Sequence, residues 1–105
     1  MAFEDFDISE ELDGGVCKLH LKGRITSMNA NVLQHKLSEI ENSGVKKVVL
    51  NMMQVAFLSS AGIRVILMFY KKAKESGGSF HIDSPSENVV NVLGMTALDD
   101  MLLSD

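Results

Sequence analysis

The chain has no tryptophan, one tyrosine, one proline and one cysteine among its 105 residues. The lone Cys17 excludes a disulfide-stapled or cysteine-ligated mini-domain, and it agrees with a reducing compartment. No apolar run approaches the ~20 residues of a membrane-spanning helix. The start, MAFEDFDISEEL, is acidic where an export leader needs a basic segment, so a cytoplasmic protein that engages no membrane is expected. A clustered basic stripe is missing too, which argues against direct nucleic-acid binding. Repeats, low-complexity segments and linkers are absent, so residues 1–105 read as one domain. What is present is apolar content of 46%, too high for disorder. A chain of this length buries roughly 60–70% of the surface it exposes when unfolded, enough for one core. The net charge of -4 is unevenly placed: residues 1–13 carry six acids (Glu4, Asp5, Asp7, Glu10, Glu11, Asp13) and no base.

Patterning then gives an order of elements. Phe3 to Ile8 reads as a strand with Phe6 and Ile8 inward, and Asp13-Gly14-Gly15 as a tight hairpin turn. Val16 to Lys22 alternates cleanly, with Cys17, Leu19 and Leu21 on one face and Lys18, His20 and Lys22 on the other. Those lysines can face Asp5 and Asp7 across the hairpin. Gly23 closes the strand, and Thr26 or Ser27 caps a helix from about Met28 to Asn42 with Leu33, Leu37 and Ile40 as its apolar stripe. Val48-Val49-Leu50 predicts a strand covered on both faces, followed by a short loop. Ser59 or Ser60 then caps a second helix to about Ser76, with Ile63, Ile66, Leu67 and Tyr70 on its inner side and Lys71, Lys72 and Lys74 in its last turns. Ser79 to Asp83 is a short strand with Phe80 and Ile82 on one side. Ser84-Pro85-Ser86-Glu87 reads as a capping box with Ser84 at the cap, opening a third helix with Val89, Val90 and Leu93 inward and Gly94 at its end. Residues 96–105 are ambiguous between a short strand and a frayed helix. The outcome is an α/β fold of order β-β-α-β-α-β-α: a mixed sheet with an N-terminal antiparallel hairpin, helices packed against it and right-handed crossovers.

Few constellations could carry chemistry. His20, His35 and His81 fall on separate elements without metal-ligand spacing, so no metal is expected. Cys17 alternates with Leu19 and Leu21, as a buried structural thiol does. No glycine pattern matches a phosphate-cradling loop, and no nucleophile has an ordered partner, so no catalytic residue and no cofactor are expected. The stretch Phe57-Leu58-Ser59-Ser60-Ala61-Gly62-Ile63-Arg64-Val65-Ile66-Leu67 is different. Two hydroxyls stand between a buried strand and a buried helix, followed by two small residues that leave them open. One reading is a helix cap and nothing more. The other is a phosphorylation site, where a phosphate would meet the positive end of the helix dipole.

This segment resembles the signature of the STAS domain, found in bacterial anti-sigma factor antagonists and in sulfate-transporter tails. There a strand ends in an apolar residue, followed by Asp-Ser-(Ser/Thr)-Gly and then Leu-Gly-Val-Leu-Leu or similar. Val48 to Asn51 resembles the strand, Phe57 the apolar residue, and Gly62 to Leu67 the helix start. Gly23-Arg24-Ile25, Gly77-Gly78-Ser79-Phe80 and the stretch from Val92-Leu93 to Ala97-Leu98 extend the likeness over most of the chain. Placed position by position, the family's phosphorylated serine falls on Ser60, its preceding aspartate on Ser59 and its following Ser/Thr on Ala61. The family commonly adds a last strand and a fourth helix, so a C-terminally short STAS domain is expected.

The resemblance implies a binding module and no enzyme. Its unmodified form would bind an anti-sigma factor that is also a serine kinase of the histidine-kinase-like ATPase superfamily, releasing a sigma factor for transcription. Phosphorylation would abolish that binding, and a serine phosphatase would restore it. Ser60 is then the expected phosphoacceptor, with Ser59 a lesser candidate. Arg24, Thr26, Ser27, Met28, Ser59, Gly62 and Arg64 are the expected partner surface, although Met28 fits a core position equally well. The alternative is a STAS subunit of a membrane transport system that is never phosphorylated.

Overall fold

The computed structural model describes residues 6–96 together with Leu98 and Leu102. Its elements are β1 (Phe6–Asp13), β2 (Val16–Ile25), α1 (Ala30–Asn42), β3 (Lys47–Leu58), α2 (Ser60–Glu75), β4 (Ser79–Asp83) and α3 (Glu87–Met95). They form one four-stranded sheet of order β1-β2-β3-β4. The pairing of β1 with β2 is antiparallel, and those of β2 with β3 and β3 with β4 are parallel. Element order and mixed sheet are those the sequence predicts.

The hairpin forms because Gly14 and Gly15 take φ of 59° and 84°, the left-handed values that a two-residue turn matching the strand twist requires. Its register sets Asp7 opposite Lys22 and Glu11 opposite Lys18, so Lys18 faces Glu11 and not Asp7. The other acid expected to face these lysines, Asp5, lies outside the described residues, as does the predicted strand start at Phe3. Cys17, Leu19 and Leu21 point into the core with Val48, Leu50, Met52, Phe80 and Ile82. They meet Leu33, Leu37 and Ile40 of α1, Val65, Ile66 and Phe69 of α2, and Val89 and Leu93 of α3 in a single cluster. Each fully buried Leu or Ile there contributes about 1.5–3 kcal/mol.

Several local expectations are corrected. β2 does not stop at Gly23 but runs through it to Ile25, and β3 is twelve residues long with no loop after Leu50. The β2–β3 register shifts between His20 and Lys22 and again between Gly23 and Arg24, each time adding one residue on β3. These bulges break strict alternation, so Met52, Val55 and Leu58 are buried at a spacing of three. Val49 is only half-buried between buried Val48 and Leu50, because the opposite face carries polar side chains and is not fully covered.

The inner side of α2 centres on Val65, Ile66 and Phe69, whereas Ile63, Leu67 and Tyr70 are half-buried at its flanks. Neither Thr26 nor Ser27 caps α1; Asn29 occupies that position. Ser84 takes φ of 55° and cannot cap α3, so Ser86 does, and α3 ends at Met95, one residue past Gly94. Val90 faces outward. In the tail, Leu98 packs against the core, and the Leu102 N–H donates to the Leu98 carbonyl at 3.1 Å, helical spacing that also buries Leu102.

Candidate functional site

β3 delivers the chain to α2 through a corner with no spare residues. Leu58 ends the strand buried, and Ser59 follows in an extended conformation (φ -80°, ψ 167°). The Ser59 N–H donates to the Ile25 carbonyl at 2.9 Å, which ties the corner to the end of β2. Its hydroxyl accepts from the Gly62 N–H at 3.1 Å, and its carbonyl accepts from the Ile63 N–H at 3.0 Å. Ser59 is therefore the cap, with its hydroxyl engaged in holding the helix start. Ser60 is the first residue of α2 and is exposed, and no side-chain hydrogen bond among the described residues uses its hydroxyl.

Gly62 sits inside the corner. It is buried, and a Cβ there would come within 2.8 Å of both Ile25 Cγ2 and Leu58 Cδ1. Its missing side chain lets the first turn of α2 lie on the ends of β2 and β3. It shapes the corner from within, with no side chain of its own at the surface.

The neighbouring loop after β2 completes the surface. Arg24 and Phe57 are register partners, both exposed, and the guanidinium lies 4.7 Å from the ring centroid. Asn29, only 2% exposed, fixes the loop: its Oδ1 accepts from the Thr26 N–H at 2.8 Å and its Nδ2 donates to the Arg24 carbonyl at 2.9 Å. The half-buried Thr26 in turn accepts the Met28 N–H at 3.2 Å through its hydroxyl. This bracing turns Ser27 and Met28 outward, and Met28 is 70% exposed, so the core reading of that residue does not hold. Arg64 is exposed one helical turn after Ser60. The structure thus places Arg24 at the end of β2, Thr26, Ser27 and Met28 on the loop that follows, and Ser59, Ser60 and Arg64 at the helix start. Sequence reasoning missed Asn29, whose signal was an Asn just before an apolar-periodic helix. It also missed the exposure of Phe57, 39%, which strand alternation alone would have left undecided.

Elsewhere the titratable groups do structural work. Lys36 Nζ lies 2.6 Å from Glu10 Oε1 and holds that carboxyl below its ordinary range. Cys17 donates to Glu10 Oε2 at 3.7 Å; burial, and then the Glu10 charge, push its thiol up to about 11, so it stays protonated at neutral pH. His20 meets Glu11 at 3.0 Å and His35 meets Glu39 at 3.5 Å. Among the described residues no three His, Cys, Asp or Glu side chains are placed to hold a metal. No helix among them is long and apolar enough to cross a membrane.

Comparison with known proteins gives a consistent set of likenesses. The family model of the STAS domain matches residues 7–104. The anti-sigma-B factor antagonist of Bacillus subtilis (strain 168) is 26% identical over 85 residues, 81% of this chain and 77% of that protein. The crystal structure of an anti-sigma factor antagonist from Mycobacterium paratuberculosis superposes with a TM-score of 0.85 at 19% identity, over 95% of this chain and 85% of that one. The Bacillus cell fate determinant SpoIIAA in its phosphorylated form superposes with a TM-score of 0.72 at 16% identity, over 92% and 87%. At such identities the two structural likenesses speak for the fold.

Proposed function

The chain belongs to the STAS domain family, and we propose that it is an anti-sigma factor antagonist whose binding is switched by phosphorylation of Ser60. It is a binding module and carries out no chemistry of its own. In its unmodified form it binds, in the cytoplasm, an anti-sigma factor that is also a serine kinase of the histidine-kinase-like ATPase superfamily. That binding frees a sigma factor for transcription. The kinase phosphorylates Ser60, the complex comes apart, and a serine phosphatase restores the binding form.

The observation that carries this reading is the division of labour between two adjacent hydroxyls. Ser59 is engaged as the helix cap, whereas Ser60 stands exposed on the first turn. A phosphate on Ser60 adds about -1.5 to -2 charges at the positive end of α2, where the fold can hold them without unfolding. At a desolvated partner interface the same charge is costly, and about 1.4 kcal/mol already changes occupancy tenfold. Arg24, Thr26, Ser27, Met28 and Arg64 supply the surface around it, with Phe57 beneath Arg24. Ser59 stands where the family has aspartate, and its hydroxyl takes over the capping position.

The test is to incubate the purified protein with ATP and the anti-sigma factor kinase that it binds in its own host, then to weigh it intact. A gain of one phosphate that disappears in Ser60→Ala is expected. No gain, or a gain that persists in Ser60→Ala, would sink the assignment.

A further inference from the structure

We propose that Arg64 is the intramolecular counter-ion of phosphorylated Ser60. The inference rests on the reading of Ser60 as the phosphoacceptor and adds how the modified corner is held.

Ser60 and Arg64 are four residues apart on α2 and both are exposed. Residues at that spacing are surface neighbours, with Cβ atoms about 5–6 Å apart. Long helical side chains lean toward the helix N-terminus, which carries the Arg64 guanidinium back over the turn holding Ser60. An anion placed N-terminal to a cation at this spacing is also the favourable order. A guanidinium can meet two phosphate oxygens at once.

Little competes for Arg64. None of the ion pairs among the described residues involves it. The first acid on α2 is Glu75, eleven residues on and about 16 Å along the axis. All ten Lys and Arg of the chain lie between Gly14 and Lys74, with only two acids, Glu39 and Glu41. Those two are already engaged, Glu39 with Lys36 and His35 on α1 and Glu41 with Lys72 across to α2. The other cation of the corner, Arg24, is stacked over Phe57. Phosphorylation therefore changes the corner twice: it adds an anion, and it withdraws the cation that Arg64 offers to a partner in the unmodified form.

The experiment uses the full chain with phosphoserine installed at position 60 during translation, so that no kinase is needed. The second ionisation of the phosphate, near pH 6 when unperturbed, is followed by phosphorus NMR. With Arg64 present it should fall lower than in Arg64→Gln by roughly half a unit or more. Arg64→Lys should restore part of the difference, since an ammonium keeps the charge but not the paired donors. Coincident curves for the parent and Arg64→Gln would overturn the proposal, as would an Arg24→Gln shift equal to or larger than that of Arg64→Gln. Gln at an exposed helical site leaves the fold intact. Because the phosphate is built in, failure here counts against Arg64, whereas failure of the kinase reaction counts against Ser60.

Discussion

At the ends of β3 and β4 the chain makes the same transition, from a parallel strand into a helix, with the same capping residue. Ser59 accepts from the Gly62 N–H at 3.1 Å and Ser86 from the Val89 N–H at 3.2 Å, both in extended backbone. The first turns that follow are opposites. At α3 the cap hydroxyl also donates to the Val55 carbonyl at 2.7 Å, and the first helical residue is Glu87, an anion already in place. At α2 the cap is tied down through its backbone to Ile25, the first turn has no acid, and the first helical residue is the exposed Ser60. Ser60 thus occupies the position that Glu87 holds in α3. A phosphate there would supply the charge that α3 has permanently, so on the proposed reading α3 is a built junction and α2 a switchable one.

Four substitutions test that contrast through urea unfolding midpoints. Gly62→Val should cost most, roughly 3 kcal/mol, because the added atoms meet Ile25 and Leu58 at 2.8 Å and the corner cannot close. Ser86→Ala should follow at about 2 kcal/mol, since it removes a cap and leaves the Val55 carbonyl without its donor. Ser59→Ala removes a cap alone and should cost about 1 kcal/mol. Ser60→Ala should stay within about 0.5 kcal/mol, as a surface change away from any contact. A Ser60→Ala cost equal to that of Ser59→Ala would break the contrast, because Ser60 would then be structural too.

These differences also mark what was legible beforehand. Cys17-Leu19-Leu21 and the Gly14-Gly15 turn read directly as a strand and hairpin, because each follows from local period or local backbone demand. The extent of β3 did not, since its two bulges arise from pairing with β2 and leave no period in the sequence around Met52, Val55 and Leu58. The sequence puts the α3 cap two residues early because Ser84-Pro85-Ser86-Glu87 offers two serines, and only the left-handed backbone at Ser84 decides between them. At the site, Ser59 and Ser60 were visible as a pair, but their roles depend on which hydroxyl points at the Gly62 N–H. The small size of Gly62 is legible in the sequence, but the atoms that a Cβ there would meet, on Ile25 and Leu58, are not. Asn29, the brace of the loop after β2, acts through the Thr26 N–H and the Arg24 carbonyl, bonds that no spacing rule announces.

The most direct measurement compares the affinities of Ser60→Ala and Ser60→Asp for an anti-sigma factor of the protein's own host, by calorimetry on the full chain. Ser60→Ala should bind as the parent does and Ser60→Asp at least about tenfold more weakly, a difference of about 1.4 kcal/mol. Equal affinities for the two variants would contradict a charge-operated switch at this corner.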